Sequence, residues 1–160
     1  MTTDTARDAL VKIAEDLWTV QQELNRDDVH GVPSLPIQAP GTDVYLDCER
    51  LDCYRVAVQF QVLAAGLCRR PRLGSLRDQL DRASVSIVLN IAEGAGRTSG
   101  PDKAHFFAIA RGSATECAGV LDLMLARRLM APAEHRHGRG LVIRVVQMLT
   151  RLAARHGDSC

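Results

Sequence analysis

Residues 79–116 read QLDRASVSIVLNIAEGAGRTSGPDKAHFFAIARGSATE, and the periodicity of this stretch decides the fold. Ahead of a break at Gly94, Gly96, Gly100 and Pro101, Leu76, Leu80, Ala83, Ile87 and Ile91 recur at steps of three and four. That spacing is one face of an α-helix. Beyond the break, Phe106, Ile109, Ala110, Ser113, Glu116 and Cys117 continue it. The Gly-x-Gly is expected to be the turn that folds the second helix onto the first, giving an αα-hairpin. A second stripe, Arg82, Ser86, Asn90 and Glu93, faces Ser113 and Glu116 and makes the expected inner surface small and polar.

That stripe admits two readings. Carboxylates on facing helices can bind metal or share a proton. Alternatively, the polar groups form a hydrogen-bond network that sets the register of two helices or two subunits. A ferritin-like metal centre needs Glu-x-x-His pairs, yet Glu93 is followed by Gly-Ala-Gly and Glu116 by Cys-Ala-Gly. The network is therefore the expectation, with no catalytic residue and no metal ligand among these side chains.

Working outward, four amphipathic segments at about 47–69, 73–94, 101–128 and 132–156 are separated by Pro71, Pro101 and Pro132. In the first, Leu51, Tyr54, Val58, Val62 and Ala65 share a face; in the last, Leu141, Val145, Met148, Leu149 and Leu152 do. Short connections between long helices favour antiparallel neighbours, so residues 47–160 are predicted to be an all-α, up-down four-helix bundle. In the third helix, Ala104, Ala108, Gly112 and, further along, Gly119 make a small-residue stripe. Because glycine inside a helix costs about 1 kcal/mol relative to alanine, the stripe suggests close backbone packing.

The chain ahead of the bundle differs in character. Residues 1–25 carry an extra amphipathic helix over 4–24, whose seam of Leu10, Ile13, Leu17 and Leu24 has Trp18 beside it. Such a seam suits docking on the bundle or on a partner. Residues 26–46, with Pro33, Pro36 and Pro40, read as a proline-rich linker. Charge divides the same way. Residues 1–46 hold three basic and eight acidic side chains, a net of −5, and the remainder holds 17 and 11, a net of +6. The excess arginines sit in two clusters, Arg69, Arg70, Arg72 and Arg77 at the first bundle turn, Arg127, Arg128, Arg136 and Arg139 at the third. Up-and-down topology puts both turns at one end, where they would attract phosphates. An acidic arm on such a linker would screen that end.

Several function classes find no support. The sequence has no apolar run of the roughly eighteen residues needed to cross a bilayer, and its N-terminus lacks a secretory pattern, so a cytoplasmic protein without membrane association is expected. Five cysteines without C-x-x-C spacing read as free thiols. No G-x-S-x-G, H-E-x-x-H or phosphate-loop pattern occurs, and the five histidines lack ligand spacing. The expectation is no enzyme, no cofactor and no metal.

Gln79, Arg82, Ala83, Ser86, Ile87, Asn90-Ile-Ala-Glu-Gly94, Arg97, Ala110, Gly112, Ser113 and Glu116 carry a resemblance to one bacterial family. The chain resembles the four-helix-bundle proteins encoded in intervening sequences of 23S rRNA genes. These include the accessory variability determinant of diversity-generating retroelements. The likeness is specific over 76–116 and looser over about 47–155. It implies an antiparallel bundle, often assembled as a pentameric ring, and for the retroelement members it implies binding to a reverse transcriptase and to nucleic acid. Asp81 stands where the family commonly carries a further arginine. Two functions follow: a non-catalytic homo-oligomeric accessory or adaptor protein that binds another protein, or an RNA- or DNA-binding subunit of a reverse transcriptase.

Overall fold

The computed structural model describes residues 45–157. The helix expected within 1–25, with Leu10, Ile13, Leu17, Trp18 and Leu24, and the linker up to residue 44 lie outside the described residues. A 3-10 turn (Asp47–Arg50) leads into four helices, α1 (Asp52–Cys68), α2 (Ser75–Gly96), α3 (Gly100–Ala126) and α4 (Pro132–Gly157). α1 packs on α2 and α4, and α3 packs on α2 and α4, so neighbours in sequence are neighbours in space and the last helix closes against the first. This is an antiparallel up-down four-helix bundle.

The helix ends follow local chemistry. Ser99 caps α3, its Oγ accepting the Asp102 N–H at 3.4 Å, with Pro101 in the first turn, where no helical N–H is needed. At the other end of α3 the Leu129 N–H donates to the Met124 carbonyl (2.8 Å) and the Arg128 N–H to the Leu125 carbonyl (2.9 Å). These two bonds are the Schellman arrangement, and Arg128 occupies its left-handed position at φ 57°. α2 begins after Gly74, whose φ of 54° and ψ of −135° suit glycine alone.

Leu76, Leu80, Ala83, Ile87 and Ile91 are all buried, as their spacing predicts. They meet Phe60 and Leu67 of α1, Phe107, Leu121 and Met124 of α3, and Val142, Val145 and Leu149 of α4 in one core. Burying side chains of this size contributes about 1.5–3 kcal/mol each.

The structure corrects four expectations. The first helix starts at Asp52, not at residue 47, because Leu51 is extended at ψ 123° and the Glu49 carboxylate turns back to accept the Leu46 N–H at 2.7 Å. The fully buried face of α1 is Cys53, Val56, Ala57, Phe60, Ala64 and Leu67; of the expected face, Leu51 and Tyr54 pack partly buried against the core, Val58 and Ala65 are half-buried, and Val62 is 54% exposed. α1 has two apolar stripes, and the one bearing Phe60 and the alanines takes the interior.

Gly94 and Gly96 do not make the turn. Both belong to α2, and residues 97–99 form the connection. A Cβ on buried Gly94 would lie 2.9 Å from Phe107 Cε1 and 3.1 Å from Phe106 Cβ, so this glycine lets α3 close in. Finally, the small-residue stripe of α3 makes no close packing within the bundle: a Cβ on Gly112 or Gly119 would meet nothing within 4 Å. Close approach occurs instead at Gly138 in α4, where a Cβ would lie 3.1 Å from Leu121 and 3.2 Å from Leu63.

Candidate functional site

Three features stand out on the bundle. The first is the polar cluster between α2 and α3. Ser86 Oγ and Ser113 Oγ are 2.9 Å apart, and Asn90 Nδ2 donates to the Ser86 carbonyl (2.8 Å) and to Ser86 Oγ (3.1 Å). Ser113 also donates to the Ile109 carbonyl at 3.2 Å. Of these bonds between half-buried groups, Ser86–Ser113 crosses from α2 to α3 and the others lie within one helix. The charged members of the sequence stripe stay out of it. Arg82 donates to the Asp78 carbonyl (3.2 Å), Glu93 pairs with Arg97 one turn on, and Glu116 is exposed. Arg97 also lies over the Phe106 ring, 4.8 Å from its centroid. Glu93 and Glu116 thus do not form a carboxylate pair.

The second feature is the end of the bundle carrying the first and third turns. Arg70 holds Glu134, the third residue of α4, through both guanidinium nitrogens; the longer bond is 3.1 Å. Glu134 also accepts the Ala131 N–H at 2.9 Å. Arg70 donating to it keeps the Glu134 carboxyl below the ordinary glutamate range, and the same bond pushes the guanidinium up. Arg77 donates to the Arg70 carbonyl at 3.0 Å. On the α3 side, Asp122 Oδ1 takes His135 Nε2 (2.7 Å) and Arg139 Nε (3.4 Å). Arg70, Arg77 and Arg139 are therefore held by the protein itself. Arg69, Arg72, Arg127, Arg128 and Arg136 are exposed and have no side-chain partner among the described residues.

Sequence reasoning missed Glu134, Asp122 and His135. A faint signal existed for Glu134: Pro132 opens the helix, and a glutamate two residues on is well placed to accept a first-turn N–H.

The third feature is apolar surface on different helices. Between α1 and α2, Val58, Gln61, Val85, Val88 and Leu89 line a shallow groove, with Leu89 61% exposed. The outward side of α3 carries apolar Ala108, Ile109, Gly112, Gly119 and Leu123, with Leu123 46% exposed, interleaved with exposed His105, Thr115, Glu116 and Asp122.

Among the described residues no group of three or more His, Cys, Asp or Glu could hold a metal ion, and no helix is long and apolar enough to cross a membrane. Cys48, Cys53, Cys68 and Cys117 are free thiols. Burial pushes Cys53 up to about 11 and Cys117 up to about 12, so both stay protonated and unreactive at neutral pH.

No curated protein matches the chain. The family model of the 23S rRNA-intervening sequence protein matches residues 49–151, a span running from the 3-10 turn to the last turns of α4. It takes in the Ser86–Asn90–Ser113 cluster, both arginine turns and the glycine at 94 that admits Phe107. The chain belongs to the 23S rRNA-intervening sequence protein family.

Proposed function

We propose that this protein is a non-catalytic, self-assembling accessory or adaptor subunit of the cytoplasm that binds another protein. The observation that carries the reading is the pair of different apolar faces, the α1–α2 groove around Leu89 and the outer side of α3 around Leu123. Two unlike faces on one protomer suit a head-to-tail contact, which closes into a ring when the rotation allows. The resemblance read from the sequence makes five the expected number. No cofactor or metal is needed for this role. Light scattering on the full chain at micromolar concentration tests it: a species several times the 17.5 kDa chain mass is expected, and a 17.5 kDa species alone rules self-assembly out.

A second reading makes the protein the nucleic-acid-binding accessory subunit of a reverse transcriptase in a diversity-generating retroelement. The Arg70–Glu134 pair favours it, because it ties the first turn to the start of α4 and so gathers two arginine-bearing turns at one end. Cyclic assembly would repeat that basic end around a rim, raising the local field for phosphates. A reverse-transcriptase gene beside this one, and co-purification of its product with the bundle, would support this reading over a general adaptor.

A further inference from the structure

Among the described residues only three have positive φ: Gly74 at 54°, Arg72 at 70° and Arg128 at 57°. All three lie in the two turns at the arginine-bearing end. A left-handed backbone is unfavourable for a residue with a Cβ, and the position that Arg128 occupies after α3 is where glycine is commonest. Arg72, directly after Pro71, is bent the same way in the other turn. Neither side chain repays this within the bundle. Both are exposed, with no hydrogen bond or ion pair among the described residues. Unfavourable backbone conformations held in place by the surrounding fold cluster at ligand-contacting positions.

The surroundings narrow the ligand. The two carboxylates of the adjoining helix ends, Glu134 and Asp122, are already engaged by Arg70, His135 and Arg139. Asp78 and Asp81 remain in the early turns of α2 against five exposed guanidinium groups. Residues 69–77 and 127–139 include no Phe, Tyr or Trp, so bases have no large aromatic side chain to stack on. Guanidinium forks without stacking partners suit phosphate oxygens of a nucleic-acid backbone and carry no base readout.

We propose that Arg72 and Arg128 are the phosphate contacts of a sequence-independent nucleic-acid site on this end of the bundle, each held outward by its left-handed backbone. The inference rests on the nucleic-acid reading above and assigns residues to it.

Glycine is the informative substitution, because it removes the guanidinium while suiting the backbone. Fluorescence anisotropy of the full-length chain with a labelled RNA or DNA strand of about 20 nucleotides, repeated across a salt series, provides the binding measurement. Arg72→Gly/Arg128→Gly is expected to weaken binding at least about tenfold and to flatten the log affinity–log salt slope by about two per bundle. Its melting temperature should be equal to or higher than wild type, so lost binding cannot be lost fold. Wild type failing to bind at about 50 mM salt would overturn the nucleic-acid reading and this site with it. Wild type binding while the double variant keeps its affinity and slope would overturn the site alone. Polyglutamate displacing the strand at lower charge concentration than unlabelled strand would overturn phosphate as the ligand.

Discussion

Replacing Gly94 with alanine tests why glycine stands in the middle of the sequence signature. The added Cβ would sit 2.9 Å from Phe107 Cε1, 3.1 Å from Phe107 Cδ1 and 3.1 Å from Phe106 Cβ. Carbon atoms pack at about 3.5–4.0 Å, so something must move by roughly half an ångström or more. Phe107 is only 2% exposed and wedged in the core, and Phe106 Cβ is fixed to the α3 backbone. The strain therefore falls on the spacing of α2 and α3. Overpacking of this kind costs about 1–3 kcal/mol, against which alanine returns up to about 1 kcal/mol of helix propensity. A net loss of about 1–2 kcal/mol is expected. Gly140→Ala supplies the control: that glycine is exposed inside α4, a Cβ there meets nothing within 4 Å, and only the propensity gain remains. Urea unfolding of both variants at one protein concentration should move the midpoints in opposite directions. Equal or greater stability of Gly94→Ala relative to Gly140→Ala would refute the close-approach account.

Other expectations follow from the same geometry. Ser113→Ala should destabilise by about 1 kcal/mol through loss of the Ser86 contact, whereas Glu93→Gln, in an exposed ion pair, should stay within about 0.5 kcal/mol in chemical denaturation. Because the Glu134 pKa is lowered on folding, its contribution is present above the unfolded value and fades as pH falls from about 4.5 through the folded value. Glu134→Gln should therefore lose stability at pH 7 and flatten the acid limb of the stability–pH curve, by under about 1 kcal/mol since the pair is more than a third exposed on the Arg70 side. Peptide-resolved alkylation of the native protein at pH 8 should label Cys68 well before Cys53 or Cys117, whose thiols are held protonated by burial; equal rates would contradict the packing.

The parts of the fold legible in the sequence are those where one helix face differs plainly from the rest. α2 comes nearest to such a helix, its outer side polar apart from Val85, Val88 and Leu89, and every apolar position read from its spacing is buried. α1 and α3 are not such helices. α1 carries two apolar stripes, and periodicity alone gives no ground for choosing Phe60 over Val62. In α3, Phe107 and Leu121 point in while Ile109 and Leu123 point out, with the same residue types on both sides. Gly94 misled for a related reason, since a glycine that serves close packing has the same letter as one that serves a turn. The arginine clusters were visible as composition, but their sorting was not: the Arg70–Glu134 pair joins residues 64 apart in the chain, and left-handed arginines leave no mark in a sequence.

The head-to-tail account is tested most directly by mixing two surface variants, Leu89→Lys on the α1–α2 groove and Leu123→Lys on the outer side of α3. Both positions are exposed, so the bundle should fold in each. Each variant keeps one of the two faces intact. Sedimentation equilibrium should find each alone at the 17.5 kDa chain mass, and an equimolar mixture at twice that, capped at one contact. Both variants assembling as wild type does, or a mixture that stays at 17.5 kDa, would contradict the account.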